Sequence, residues 1–86
     1  MNKYVIRKYD GAIWIDALAF FDERQLASSD VAEVVCGKLE SGEIRMLLPA
    51  VFCLIQRLNN GRERRIGTDV SIGRDGKAIE CPETKK

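Results

Sequence analysis

The chain has 86 residues and a net charge of +1, and these two properties limit the classes of protein to which it can belong. Apolar residues make up 45% of the chain and charged residues 31%, a globular composition that excludes disorder. A chain of this length forms one small core, and its nearly zero net charge excludes a strong overall field that attracts nucleic acid. The sequence predicts one α+β domain over residues 1–81 and a polar C-terminal tail over residues 82–86.

The nearly neutral total hides an uneven distribution of charge along the chain. Residues 1–43 carry 5 Lys and Arg against 8 Asp and Glu, a net of −3, whereas residues 44–86 carry 9 against 5, a net of +4. Two interpretations remain open, because folding can interleave the two halves or can leave an acidic and a basic surface.

Residue usage argues against catalysis. The chain has no His, so Ser-His-Asp and Cys-His nucleophilic sites within one chain are excluded. Cys36, Cys53 and Cys81 follow no repeated spacing, which predicts reduced thiols in a cytoplasmic protein rather than disulfides or a zinc site. We therefore expect a protein that is not an enzyme and that needs no cofactor and no metal.

No segment of the sequence predicts a membrane span. The longest apolar run, Met46 to Ile55, has ten residues and contains Pro49, whereas a spanning helix needs about 20. No targeting segment is visible at the start of the sequence. These features predict a small cytoplasmic domain without membrane contact, typical of a prokaryotic or phage protein.

The N-terminal third predicts a β-hairpin. Residues 2–9 are rich in β-forming side chains, Asp10-Gly11 is a strong hairpin turn signal, and residues 12–20 resume the strand pattern. The stretch from Asp16 to Gln25 also fits a helical stripe. Asp16 lies in an apolar run, and if it points inward it needs a cationic partner such as an arginine.

The central segment has two interpretations. Ser28-Ser29-Asp30 is an N-cap cluster, and with Asp30 as the cap Glu33 completes a capping box. A helix over residues 30–40 then places its apolar residues on one face, namely Val31, Val34, Val35 and Leu39. The rival is a second hairpin within residues 31–48, closed by Ser41-Gly42. The capping cluster and the helical periodicity favour the helix.

The last third predicts a helix followed by a hairpin. Pro49 to Leu58 fits a helix that starts at a proline and is followed by Gly61, with Arg57 complementing the helix dipole in the last turn. Residues 64–72 and 77–81 then fit two strands joined by the turn Gly73-Arg74-Asp75-Gly76. The predicted fold is α+β, an antiparallel sheet of two hairpins packed against one or two helices, with a small all-β barrel as the alternative.

The candidate binding residues are arginines of the C-terminal third: Arg57, Arg62, Arg64, Arg65 and Arg74. A guanidinium presents a planar fork of donors that matches carboxylates and phosphates. Strand alternation predicts that Arg62 and Arg64 share one side and face a partner or a phosphate.

Two functions fit these residues. The first is a non-catalytic protein-interaction module, such as an inhibitor, adaptor or regulatory subunit, whose basic hairpin and acidic N-terminal half complement a protein partner or a second copy in a homo-oligomer. The second is a nucleic-acid-binding module that contacts phosphates through Arg62, Arg64 and Arg65. The first is preferred, because nucleic-acid-binding domains usually carry a basic excess.

Overall fold

A computed structural model describes residues 1–79 as one curled antiparallel sheet with a helix against one face. The elements in chain order are β1 (Asn2–Tyr9), β2 (Trp14–Asp22), a 3₁₀ turn (Ser28–Asp30), α1 (Val31–Ser41), β3 (Ala50–Arg57), β4 (Glu63–Ile72) and β5 (Ala78–Ile79). The strands lie in the order β2-β1-β3-β4-β5. The α+β prediction is confirmed, and the all-β alternative is wrong because α1 is helical.

The N-terminal hairpin is confirmed. Gly11 has φ +86°, which glycine adopts without steric cost, and the Asp10 amide donates to the Ile13 carbonyl at 2.9 Å. The helical alternative for residues 16–25 is wrong, because β2 continues to Asp22 and its Phe20 ring stacks on Tyr4 with centroids 5.6 Å apart. The register shifts near Arg7, so Ala17 forms a bulge in β2.

Helix α1 confirms the favoured interpretation of the central segment. Val31 and Val35 are buried against the sheet, and Gly42 ends the helix with φ +81°. The predicted capping box is not formed, because the Asp30 carboxylate accepts a hydrogen bond from the Ala27 amide at 2.8 Å instead. The carboxylate thereby closes the 3₁₀ turn that precedes the helix.

The predicted helix from Pro49 to Leu58 is wrong, because these residues form strand β3. β3 lies between β1 and β4, and both of its faces are buried: Phe52 and Leu54 pack towards α1, whereas Cys53 and Ile55 pack on the opposite side. A strand buried on both faces has a continuous apolar run instead of an alternating pattern. The helical stripe in this run was therefore coincidental, and Arg57 lies on a strand rather than at a helix end.

The segment between β2 and the 3₁₀ turn is fastened to the core by one phenol. Tyr4 is fully buried, and its hydroxyl donates to the Arg24 carbonyl at 2.8 Å and accepts from the Leu26 amide at 3.0 Å. The 3₁₀ turn then approaches β4 so closely that a Cβ atom on Gly67 would lie 2.6 Å from the Ser28 hydroxyl oxygen. These contacts carry the chain across the sheet and set the position of α1.

The C-terminal hairpin is confirmed within the described residues. The Gly76 amide donates to the Gly73 carbonyl at 2.9 Å, and β5 pairs with the end of β4. Asn59-Asn60-Gly61 forms the turn between β3 and β4, where the Leu58 amide donates to the Arg62 carbonyl at 2.8 Å. Cys81, the predicted domain end at residue 81 and the predicted tail over residues 82–86 lie outside the described residues.

Candidate functional site

The fold places the five predicted site arginines on different faces of the sheet and in different turns. Arg57 and Arg65 lie on the face that points away from α1, which we call the outer face, whereas Arg64 lies on the helix side. Arg62 and Arg74 occupy the turns at opposite ends of β4, and a strand of ten residues is roughly 33 Å long. The five arginines therefore do not lie together on one face of the sheet.

Two arginines and two carboxylates form a closed ion network on the outer face: Arg7, Asp16, Arg57 and Glu63. We call this set the outer-face network. Arg7 donates from Nε to Asp16 Oδ1 at 2.8 Å and from Nη2 to the two Glu63 oxygens at 2.9 and 2.8 Å. Arg57 donates to Glu63 Oε2 at 3.0 Å and lies 3.7 Å from Asp16 Oδ2. Asp16 thus has arginine partners, although it is exposed rather than buried.

The outer-face network shifts the pKa of Glu63 and of Arg7 in the stabilising direction. Hydrogen bonds from Arg7 and then from Arg57 hold the pKa of Glu63 below its ordinary value. The hydrogen bond to Asp16, with a smaller contribution from Glu63, raises the pKa of Arg7. All four charges are compensated within the chain, so this network presents no net charge to a ligand.

The outer-face network and its neighbours cover an apolar cluster over which no helix of residues 1–79 lies. Val5, Cys53 and Ile55 are 1%, 3% and 7% exposed, and Trp14 packs against them. Arg7 is the register partner of Cys53 and Arg65 that of Ile55, so their aliphatic stems lie over this cluster. Burial raises the pKa of the Cys53 thiol, which makes it a poor nucleophile.

Two further predicted site arginines have structural partners. The Arg65 guanidinium lies 5.3 Å from the Trp14 ring centroid and forms an ion pair with Asp69. Arg64 donates from Nη2 to Gln56 Oε1 at 3.0 Å, and Gln56 is only 7% exposed. Removing Arg64 would therefore leave a nearly buried amide with fewer partners.

Arg62 and Arg74 remain as the predicted site residues whose side chains form neither a salt bridge nor a hydrogen bond within residues 1–79, whereas Arg64 has a hydrogen bond to Gln56 but no salt bridge. Arg62 lies in the turn before β4 and Arg64 is bonded to Gln56, and the pairing of Arg62 with Arg64 towards a partner stays a prediction. Among the predicted site residues, these two turn arginines are the ones left for contacts outside the described chain.

The sheet has an open edge that the sequence did not reveal. β2 is the first strand in the sheet order, and within residues 1–79 it pairs only with β1. Its nine residues contain no Lys, Arg or Pro, and the protective features that it does carry are two Asp residues and the bulge at Ala17. Phe21, near the end of β2, is 62% exposed, and the Lys3 ammonium lies 5.9 Å from its ring centroid.

A groove of about 360 Å³ lies between β2 and α1. We call it the edge groove. Phe20 and Phe21 form its wall on the strand, and Val34 and Gly37 form its wall on the helix. Its remaining lining is polar: Asp22, Glu33, Lys38, Ser41 and Glu43. The absence of cations in β2 was visible in the sequence, but the edge position depends on β3 pairing with β1 rather than with β2.

The order of strands keeps the two oppositely charged halves of the sequence apart. β2, β1 and α1 belong to residues 1–43, which carry a net charge of −3, whereas β3, β4 and β5 belong to the basic half. Because β1 meets β3 in the middle of the sheet, the acidic half ends at the β2 edge and the basic half at the β5 edge. The charge asymmetry of the sequence is thus retained along the sheet.

Comparison with known proteins finds no match to a family model, to a curated protein or to a solved structure. Within the described residues, no helix has the length and apolar character needed to cross a membrane. In the same part of the chain, Cys, Asp and Glu side chains form no group of three or more suited to holding a metal ion.

Proposed function

We propose that the protein is a non-catalytic protein-interaction module that binds its partner along the β2 edge. The observation that carries this proposal is the open, nine-residue β2 edge beside the exposed ring of Phe21. An open edge presents unpaired backbone donors and acceptors, and an added strand from another chain satisfies them. The exposed apolar side chains of β2 add contact area to that pairing.

The internal contacts of the predicted site arginines also favour the β2 edge as the binding surface. Arg57, Arg64 and Arg65 each have a carboxylate or amide partner within the chain, so binding through them would first break existing contacts. The β2 edge has no such internal partner among residues 1–79. The interaction surface is therefore better supported at the acidic end of the sheet than at the basic hairpin.

The nucleic-acid alternative through Arg62, Arg64 and Arg65 stays a prediction with weaker support. Phosphate binding needs cations that converge on a backbone, whereas these arginines lie in a turn and on two different faces of β4. Arg64 and Arg65 already have internal partners, so Arg62 alone is left to contact a phosphate.

The test is capture of partners from native lysate with the tagged protein, with and without nuclease treatment. The double variant Ile15→Lys with Phe21→Lys places cations on exposed positions of the edge and should abolish nuclease-resistant capture. The matched control, Arg62→Ala with Arg74→Ala, should capture the same proteins as the unmodified chain. The reverse pattern, or capture that disappears with nuclease, would contradict the proposal.

A further inference from the structure

We infer that the edge groove binds an extended, basic segment of a protein partner, which adds to the sheet as a strand beside β2. This inference rests on the proposed function and names the chemistry of the partner. The expected segment carries apolar side chains on both of its faces, and a Lys or Arg two residues from an apolar side chain on the face towards α1. The argument depends on the position, the charge and the shape of the groove.

The lining of the groove places it along the strand edge itself. Phe20 and Phe21 are consecutive in β2, so their side chains point to opposite faces of the sheet. Both residues line the groove, which places it beside β2, the strand whose outer backbone groups are unpaired within residues 1–79. An extended segment is the occupant that can bond to this backbone and also contact both rings.

The helix side of the groove has room for one apolar side chain. A Cβ atom built on Gly37 would meet no atom within 4 Å outside its own helix, and Val34 lies one turn earlier in α1. An apolar side chain of the added strand, directed towards α1, would lie over Gly37 between Phe20 and Val34. This contact requires the small residue at position 37.

The polar lining of the groove is mainly acidic. Asp22, Glu33 and Glu43 contribute three carboxylates against the single ammonium group of Lys38. Lys38 bonds to Glu43 at 2.8 Å and Arg24 to Asp22 at 3.1 Å, whereas Glu33 forms no salt bridge within residues 1–79. Same-face side chains of a strand are roughly 7 Å apart, so a cation two residues from the apolar side chain is placed to meet Glu33.

A second copy of this chain is a poorer occupant than a different protein. Its own open edge strand has the same sequence and contains no Lys or Arg, so it would bring no cation to Glu33. The basic half of a second copy could offer the arginines of β4 to the groove. However, Arg64 is already bonded to Gln56 and Arg65 to Asp69, so these contacts would have to break first. Charge complementarity therefore favours a basic segment from another chain.

The experiment uses the full chain and one defined probe. The probe is a fluorescein-labelled, capped octapeptide with two Val-Val-Lys triplets between terminal Thr residues, and the matched control peptide has Glu in place of Lys. Fluorescence anisotropy at low and high salt measures binding. We expect the Lys peptide to bind more tightly at low salt and the Glu peptide to bind at least roughly tenfold more weakly.

Three variants connect binding to the groove. Gly37→Leu should abolish binding by filling the groove while leaving the thermal midpoint unchanged or higher, and Gly37→Ala should retain most of the binding. Glu33→Lys should weaken binding roughly tenfold, whereas Glu40→Lys, a charge reversal on α1 outside the groove lining, should have a smaller effect.

The outcomes separate this inference from the proposed function. Equal binding of the two peptides, no binding of the Lys peptide, or unchanged binding by Gly37→Leu would overturn the basic segment as the occupant. A dimer of the unliganded chain that Gly37→Leu dissociates would also overturn it, since the occupant would then be a second copy. If edge-dependent capture from lysate persists in any of these cases, the proposed function stands and only the partner chemistry is wrong.

Discussion

Arg7 on β1 donates to both carboxylate oxygens of Glu63 on β4, at 2.9 and 2.8 Å, across the intervening strand β3. The two residues are 56 positions apart, so the contact exists only in the folded sheet. Together with Asp16 and Arg57 they lie over an apolar cluster that no helix in the described part of the chain covers. The outer face is thus closed by ion pairs and long side chains instead of by a second layer.

This relationship predicts how stability depends on pH. The pKa of Glu63 is lowered in the folded chain, so the unfolded chain binds this proton at a higher pH than the folded chain does. The stabilisation is complete above the ordinary Glu pKa of about 4.3 and is lost as pH falls through the lower folded value. Glu63→Gln should therefore flatten the acid limb of a plot of urea midpoint against pH.

Two variants sharpen that measurement. Glu40→Gln also removes one carboxylate, but it lies outside the outer-face network and controls for the change in net charge. Asp22→Asn should change the acid limb in the same direction as Glu63→Gln, because the hydrogen bond from Arg24 lowers the pKa of Asp22. A Glu63→Gln profile that matches the unmodified protein at every pH would contradict the assigned role of the network.

Removal of the Tyr4 hydroxyl tests the attachment of the segment before α1. Tyr4→Phe leaves the Leu26 amide and the Arg24 carbonyl without this partner in a buried site, at a cost of about 1–3 kcal/mol. Tyr9→Phe is the matched control: its exposed hydroxyl donates only to the Gly11 carbonyl, and the expected change is within about 0.5 kcal/mol. Urea unfolding measures both, and equal losses would contradict the attachment.

Local signals in the sequence predict local structure in this chain. Asp10-Gly11 and Gly73 to Gly76 each close a turn through contacts between near neighbours, and Ser28 to Asp30 lead directly into α1. These elements need no information from the rest of the fold, because their hydrogen bonds join residues a few positions apart. The hairpins and the helix were predictable for that reason.

Features that depend on distant pairing were not predictable. β3 has a continuous apolar run, in which a helical stripe can also be found, because neighbouring strands lie on both sides and apolar side chains pack on both faces. The edge groove exists because β1 pairs with β3, a contact that nothing local in β2 specifies. Likewise, no spacing in the sequence indicated that Arg64 and Arg65 have internal partners.

Two glycines should respond to alanine in opposite directions. Gly67 has φ +67°, and its added Cβ would lie 2.6 Å from Ser28 Oγ and 2.8 Å from Ser28 Cβ, so Gly67→Ala combines strain with a clash. We expect a loss of about 2 kcal/mol or more. Gly37→Ala meets no atom within 4 Å and should gain roughly 1 kcal/mol from helix propensity. Thermal unfolding compares the two, and a stabilised Gly67→Ala would contradict the close approach.

Thiol reactivity tests whether the outer-face side chains keep water from the cluster beneath them. Cys53 is 3% exposed and burial raises its pKa, so its thiolate is scarce and poorly accessible. With Cys36→Ser and Cys81→Ser as background, Cys53 should react with a disulfide reagent only at the rate at which the fold opens. Adding Arg7→Ala removes part of the cover and should speed the reaction while the fold persists.

Cys36, partly exposed and 3.0 Å from the Gly76 carbonyl, provides the comparison in a Cys53→Ser, Cys81→Ser chain and should react faster. Rapid modification of Cys53 in the folded chain with Arg7 in place would show that the ion network leaves the cluster open to solvent.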